Sequence, residues 1–282
     1  MYRVSIIIPI FKVRNFIERC VCSLFEQTLT AVEYIFGDDA SPDDSIDILK
    51  ACIERYPERK EQVQILVHEQ NQGLPAARNT GLAVAKGEYV FHCDSDDFVE
   101  PDMYEKLYGG IVKYGTLIAQ IGRDEIDAEG NMLPNICEPP AEPMVYSAEE
   151  FLKELLMHRG DCSFCTKLVH RSLFEDKGFP IGLLNEDFRL LVEMLPQAGK
   201  LVSLPGQTYH VFYRIGSNSR KQNKEDFSRV FADSVDNADM VAGIVEREFE
   251  DLKKVAFRFG IFQRLDYLLH IPVSQMTKDN AF

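Results

Sequence analysis

The sequence predicts an α/β protein: a mainly parallel, Rossmann-like sheet flanked by helices, with a C-terminal helical extension. Three observations carry this expectation. Short apolar, β-branched runs alternate with segments of helical period through residues 1–100. Acidic residues follow the second and fourth of these runs, as expected at the ligand-binding edge of an open α/β sheet. From Phe227 onward, apolar residues recur at helical spacing with no further strand pattern.

Residues 4–8 form a near-continuous apolar run closed by Pro9, which reads as a buried first strand. Val13, Phe16, Ile17, Cys20, Val21 and Leu24 then fall at helical spacing. Residues 33–36 read as the second strand, closed by Gly37-Asp38-Asp39. Ser41, Pro42 and Asp44 then predict a capped helix start, with Ser41 as N-cap and Asp44 reaching back to it. Ile46, Leu49, Cys52, Ile53 and Tyr56 carry that helix. Strands are expected at 63–67 and 89–93, with a short helix over 75–85 between them. Beyond it the pattern changes. A helix over 103–114 and a strand around 117–121 precede a turn at 127–131 and a proline-marked excursion through Pro134, Pro139, Pro140 and Pro143. A helix over 148–157 follows, then strands at 201–204 and 208–215, then two long helices. The expected units are a catalytic domain of residues 1–220, in halves 1–100 and 101–220, and an extension of residues 221–282.

The composition narrows the function. The chain has 282 residues, 45% hydrophobic and 27% charged, as in an ordinary globular protein. Its net charge of −14, from 31 basic and 45 acidic residues, argues against a nucleic-acid partner, which a basic patch would have to attract. The start lacks the apolar stretch of a signal peptide, and no apolar run is long enough to span a bilayer. The seven cysteines lie mostly within apolar patterns and read as reduced, which points to a cytoplasmic chain. Cys162 and Cys165 form a C-x-x-C with no second pair and no clustered histidines, a poor zinc site.

Five constellations carry candidate chemistry. Asp94-Ser95-Asp96-Asp97 ends the fourth strand, and its D-x-D carboxylates are hard ligands suited to Mg²⁺ or Mn²⁺, ions that commonly hold phosphate. The simpler alternative is a polar turn. Asp38-Asp39 after the second strand suits a ribose hydroxyl or base N–H, or else caps a helix. Gly73 to Gly81 opens a helix carrying Arg78, whose guanidinium can bridge diphosphate oxygens, order the acidic cluster, or form a surface ion pair. Glu186-Asp187 begins an amphipathic helix, where acids are also common for dipole reasons. The strand-like Tyr209-His210-Val211-Phe212-Tyr213 leads to Arg214, a phosphate candidate, while His210 reads as a packed strand histidine.

In order along the chain, these motifs resemble the family-2 glycosyltransferases, inverting enzymes with the GT-A fold. The resemblance runs through Val4-Ser5-Ile6-Ile7-Ile8-Pro9-Ile10-Phe11, Phe36-Gly37-Asp38-Asp39-Ala40-Ser41, Asn71-Gln72-Gly73 with Ala77-Arg78-Asn79, Asp94-Ser95-Asp96-Asp97, Glu186-Asp187 and the segment from Arg214. It implies that Pro9 and Phe11 line a base pocket, that Asp39 accepts from the base, and that Arg78 helps seat the donor. Asp94 would approach the ribose or metal, Asp96 would hold the Mn²⁺ or Mg²⁺ ion, and Arg214 would be a weaker diphosphate contact. Asp187 would be the catalytic base, with Glu186 supporting it. Two departures stand out. Ala40 replaces the family's usual glycine, which has more freedom at positive φ. Phe164-Cys165-Thr166 stands where the family often has Trp, which bears on the acceptor pocket.

The implied reaction is transfer of a sugar from a nucleotide donor, UDP-linked by expectation, to a saccharide or lipid-linked saccharide. One carboxylate removes the acceptor proton and a cation offsets charge on the leaving diphosphate. A silent sugar-nucleotide-binding subunit is the alternative from another class. A nucleotidyltransferase is disfavoured, because Pro9-Ile10-Phe11-Lys12 contains no glycine-rich phosphate loop. In the C-terminal helices, Arg247, Lys253, Lys254, Arg258 and Arg264 suit a peripheral contact at the inner face of a membrane. Interspersed acids suit a solvated face or a homodimer contact instead.

Overall fold

The first apolar run forms β1 (Val4–Ile10), buried along its whole length because strands cover it on both sides and helices on both faces. The computed structural model describes residues 2–135, 137–213 and 224–270. β2 (Val32–Asp38), β3 (Val63–Val67) and β4 (Tyr89–His92) complete a parallel set in the order β3-β2-β1-β4. Helices α1 (Ile17–Phe25), α2 (Ser45–Arg55) and α3 (Leu74–Val84) connect them. All four strands therefore end at one edge, where the candidate acids lie.

α2 starts later than the sequence suggests. Asp43 accepts hydrogen bonds from the Ser41 hydroxyl at 2.7 Å and from the Arg14 and Ser45 backbone N–H groups at 3.2 Å, and it also takes the Ser45 hydroxyl. That carboxylate organises a turn in which Ser41 cannot serve as N-cap, so Asp44 takes the cap position.

Beyond β4 the sheet becomes mixed. β5 (Phe98–Val99), α4 (Met103–Tyr114), β6 (Ile118–Ile126), β7 (Met144–Ser147), α5 (Ala148–Leu156), β8 (Lys167–His170), α6 (Glu186–Ala198) and β9 (Lys200–Phe212) extend the order to β3-β2-β1-β4-β8-β6-β9-β5. β7 pairs with β9 outside that path. β8 lies antiparallel between β4 and β6, so β6 again runs parallel to β4 and points to the same edge. β9 is one strand where two were expected. Gly206, at φ +95°, lies where its pairing with β6 shifts register. β5, β7 and β8 have two to four residues each, too short for a readable period.

One face of the sheet packs against α1, α2 and α4. The other packs against α5 and α6, with α7 (Lys224–Glu248) and α8 (Lys253–His270) contributing Val241, Val245, Ala256 and Phe259 to the same core. α3 seats directly on β1: a Cβ on Gly81 would come within 2.5 Å of the Ile7 side chain. That contact sets the height of Arg78 above the sheet. α8 leaves Phe257, Ile261, Phe262, Leu265 and Leu269 exposed on its outer face. None of the described helices is long and apolar enough to cross a membrane.

Candidate active site

Arg78 is the centre of the site. It leaves the first half of α3 and is 3% exposed. Its Nη1 donates to Asp187 Oδ1 at 2.7 Å and lies 3.5 Å from Glu186 Oε1, while Nη2 donates to Asp94 Oδ1 at 3.0 Å. The guanidinium also sits over the Phe179 ring, 5.0 Å from its centroid. Burial alone would lower its pKa, but Asp187, Asp94 and Glu186 overcome that and raise it above the usual arginine value. Of the three roles open at the sequence level, ordering the acidic cluster is the one this geometry realises.

The acids come from distant segments. Asp94 follows β4 and its side chain is 34% exposed. Asp187 lies on the first turn of α6, and its second oxygen accepts the Phe164 N–H at 2.9 Å. Glu186 precedes it. Burial, then the neighbouring Asp187 charge, pushes the Glu186 carboxyl up to about 7. The left-handed Asn185, φ +64°, turns the chain into α6. α7 holds this entrance, because Asp233 accepts the Leu184 N–H at 2.7 Å and Asn185 Nδ2 donates to the Ser234 hydroxyl at 3.1 Å.

The run after β4 divides by burial. Asp97 is 3% exposed and accepts the Tyr209 hydroxyl at 2.7 Å and the Phe212 N–H at 2.9 Å, which ties β9 to this turn. Burial and the charges of Asp96 and Asp94 push its carboxyl well up. Asp94 and Asp96 remain partly exposed at the mouth. Asp94 commits one oxygen to Arg78. Among the described residues no group of three or more His, Cys, Asp or Glu side chains gathers as a self-sufficient metal cage. Mg²⁺ and Mn²⁺ fit this donor set, since such ions are held by one or two carboxylates together with waters and substrate phosphate oxygens.

Pro9 is buried in β1 opposite Gly37, and Phe11 lies just past the strand end with its ring 36% exposed. Asp39 is 3% exposed and saturated. It accepts from the Gln72 and Gly73 N–H groups, from Asn71 Nδ2 and from the His68 ring, all at 2.8 Å. Its neighbour Asp38 accepts the Ser41 N–H through Oδ1 at 2.8 Å, and no other described residue takes its second oxygen. Ala40 adopts φ +56°, so the turn keeps the left-handed shape a glycine would take. His210 is packed, bracketed by Asp124 at 2.8 Å and Glu100 at 3.0 Å and stacked on Phe98. Arg214 lies outside the described residues.

The sequence singled out the pair Asp38-Asp39 without separating its members, and sequence reasoning missed Phe179, Tyr209 as the partner of Asp97, and the Phe164 N–H. Phe164 had a signal, as the position where Trp is usual, but its backbone bears on the candidate base as well as on any acceptor. Its ring is buried against His92, Phe174 and Phe179.

The family model for glycosyl transferase family 2 matches residues 5–178. Glycosyltransferase GlyA of Streptococcus pneumoniae is 32% identical over 225 residues, covering 77% of this chain and 32% of that protein. The chain spans about a third of the length of several such curated relatives. Residues 1–349 of S. aureus TarS, solved in complex with UDP, superpose with a TM-score of 0.73 at 18% identity, covering 97% of this chain and 76% of that chain. A mannosyltransferase from Pyrobaculum calidifontis, solved with GDP-Man and Mn²⁺, superposes with a TM-score of 0.65 at 14% identity, covering 100% and 78%. Both likenesses establish the GT-A fold expected from the sequence.

Two outcomes follow from the charge balance. Arg78→Met leaves the partly buried Asp187, Glu186 and Asp94 carboxylates without their cation and should cost about 1–3 kcal/mol in urea unfolding. Glu186→Gln should stabilise the protein more at pH 8 than at pH 5 in thermal melts. The raised Glu186 pKa makes the native form bind the extra proton, so its penalty grows as pH rises from 4.5 towards 7.

Proposed function

The chain belongs to glycosyl transferase family 2, and we propose that it transfers a sugar from a nucleotide-sugar donor to a saccharide hydroxyl with inversion at the anomeric carbon. The observation that carries this reading is the buried Arg78, which brings Asp94 at the donor edge of the sheet and Asp187 at the start of α6 onto one guanidinium. Asp187 is the general base. Arg78 and the Phe164 N–H keep its carboxylate oriented, and it takes the acceptor proton as the new bond forms. Glu186 beside it helps set the local charge, and with its carboxyl near 7 it is about half ionised at neutral pH.

Asp94 and Asp96 would hold a Mg²⁺ or Mn²⁺ ion, which when bound supplies counter-charge to the leaving diphosphate. The exposed Phe11 ring, next to Pro9 at the end of β1, would stack on the base. For the base or ribose contact we favour Asp38 over Asp39. Asp39 already accepts four hydrogen bonds, while Asp38 keeps an uncommitted oxygen at the same strand end. Arg78 then acts on the donor through Asp94, since both its terminal nitrogens are engaged. The UDP bound by TarS favours a UDP-linked donor, and the Mn²⁺ in the Pyrobaculum calidifontis mannosyltransferase supports a divalent ion.

A lipid-linked acceptor is favoured by α8. Its outer face sets Phe257, Ile261, Leu265 and Leu269 beside the exposed Lys254 and Arg258, an apolar and basic surface on a chain of net charge −14.

UDP, GDP, CDP and dTDP should be compared by thermal shift with and without Mn²⁺. One nucleotide should raise the melting temperature only with Mn²⁺, and Asp96→Ala should abolish that shift. Loss of transfer by about a hundredfold or more in Asp187→Asn, with the nucleotide shift retained, is expected of a general base. Undiminished transfer would overturn the assignment. Flotation with phosphatidylglycerol-rich vesicles should capture the chain, and Phe257→Ser/Leu265→Ser should release it. Equal capture of wild type and variant would remove α8 from the account.

A further inference from the structure

β6 lies two strands from β4 and points to the same edge, about 10 Å away at ~4.8 Å per strand. Over its C-terminal half opens a pocket of about 230 Å³, walled by β7, β9, the end of α5 and the loop of residues 137–140. Gly122 makes room for that loop: a Cβ there would come within 2.6 Å of the Gly206 carbonyl and 2.9 Å of Pro139.

Two polar side chains lining this pocket keep hydrogen-bonding capacity that no described residue uses. Gln120 donates through Nε2 to Ser203 at 3.0 Å, but its buried Oε1 has no partner. The Arg123 side chain is 19% exposed, and its one ion pair runs from Nε to Asp161 at 3.7 Å, too long for a hydrogen bond. No hydrogen bond from this guanidinium is made to any described residue. A buried polar atom normally finds a partner, so Gln120 Oε1 is an unmet acceptor, and the partly exposed Arg123 guanidinium keeps donors that no described residue takes.

The chemistry of the wall selects the ligand class. Arg123 offers donors and Gln120 Oε1 an acceptor, while Asp161 is already taken by the Ser163 N–H, the Thr166 hydroxyl and the Arg123 charge. Tyr146 adds a ring from the edge strand β7. A hydroxyl both donates and accepts, so a polyhydroxyl ligand satisfies both kinds of group at once. An anion is disfavoured, because Glu138, Glu154 and Asp161 line the pocket opposite Arg123 and Arg159, and Arg159 is already held by Glu154 at 2.7 Å.

The pocket is tied to the candidate base. Asp161 accepts the Ser163 N–H at 2.8 Å, and its carbonyl accepts Lys167 Nζ at 2.7 Å. Three residues on, the same loop presents the Phe164 N–H to Asp187. The backbone from 161 to 164 spans at most about 11 Å.

We infer that this pocket is a saccharide subsite, taking the sugar unit of the acceptor next to the one that reacts. The inference rests on the glycosyl-transfer reading above. The test compares methyl monosaccharide acceptors with the corresponding methyl disaccharides, using the whole chain, its donor, and the variants Arg123→Gln, Gln120→Leu and Tyr146→Ala. Loss of one or two hydrogen bonds should raise the disaccharide KM about tenfold, leaving the monosaccharide KM and hydrolysis of the donor by water within about twofold. Equal effects on both acceptors, or none on either, would overturn the subsite. Should wild type consume no donor at all, the transfer reading fails on its own. Saturation-transfer NMR with the methyl disaccharides then decides the pocket: binding lost in Arg123→Gln supports it, and binding absent or unchanged refutes it. Tyr146 lies on the short edge strand β7, so Tyr146→Ala supplies a folded variant if Arg123→Gln or Gln120→Leu does not fold.

Discussion

Everything at the candidate active site depends on one buried positive charge answering several negative ones. A carboxylate removed from water carries a desolvation cost of several kcal/mol unless a partner offsets it. Here Asp94, Glu186 and Asp187 crowd into one cleft, and Arg78 faces all of them from beneath. One guanidinium cannot neutralise three carboxylates. Burial, together with the residual negative charge of Asp187, raises the Glu186 pKa, and the partly exposed Asp94 and Asp96 keep the mouth of the cleft acidic.

The scaffold serves that interaction from both sides. On the donor side, Gly81 lets α3 settle onto β1, which brings Arg78 level with the end of β4. On the other side, α6 must start where its first turn meets the guanidinium. Its approach is fixed by a left-handed Asn185, by the Phe164 N–H on Asp187, and by two hydrogen bonds from α7. The C-terminal helices thus share a core with α5 and α6 and also brace the entry to the candidate base. Asp97 and Tyr209 close the far side, tying β9 to the turn that carries Asp94 and Asp96.

Burial sorts residues that look equivalent in one dimension. Asp38 and Asp39 are neighbours, as are Asp96 and Asp97. In each pair one acid is consumed by the fold: Asp39 gathers the loop of residues 68–73, and Asp97 anchors β9. The other stays near the strand-end cleft. Ala40 shows the converse, since the turn geometry survives the loss of glycine by holding alanine at φ +56°, a conformation that surrounding hydrogen bonds support.

Local patterns sufficed for the parallel half of the sheet, the helices α3 to α5, the two C-terminal helices and the positions of the acids after β2, β4 and before α6. Hydrophobic period and strand-end position are set by residues close in sequence, so a single sequence determines them. The family motifs drew these segments into one site before any coordinates. What the sequence left open was decided by contacts between distant segments. The strands β5, β7 and β8 are too short to show a period and exist because neighbouring strands complete their hydrogen bonds. Which acid of each pair faces the cleft follows from who donates to it, and those donors lie as far as 115 residues away. Arg78 could read as a phosphate ligand or a surface ion pair until the fold buried it among three carboxylates. The pocket over β6 has no motif at all, because its wall is assembled from two interior strands, an edge strand, a helix end and a loop that only the tertiary structure brings together.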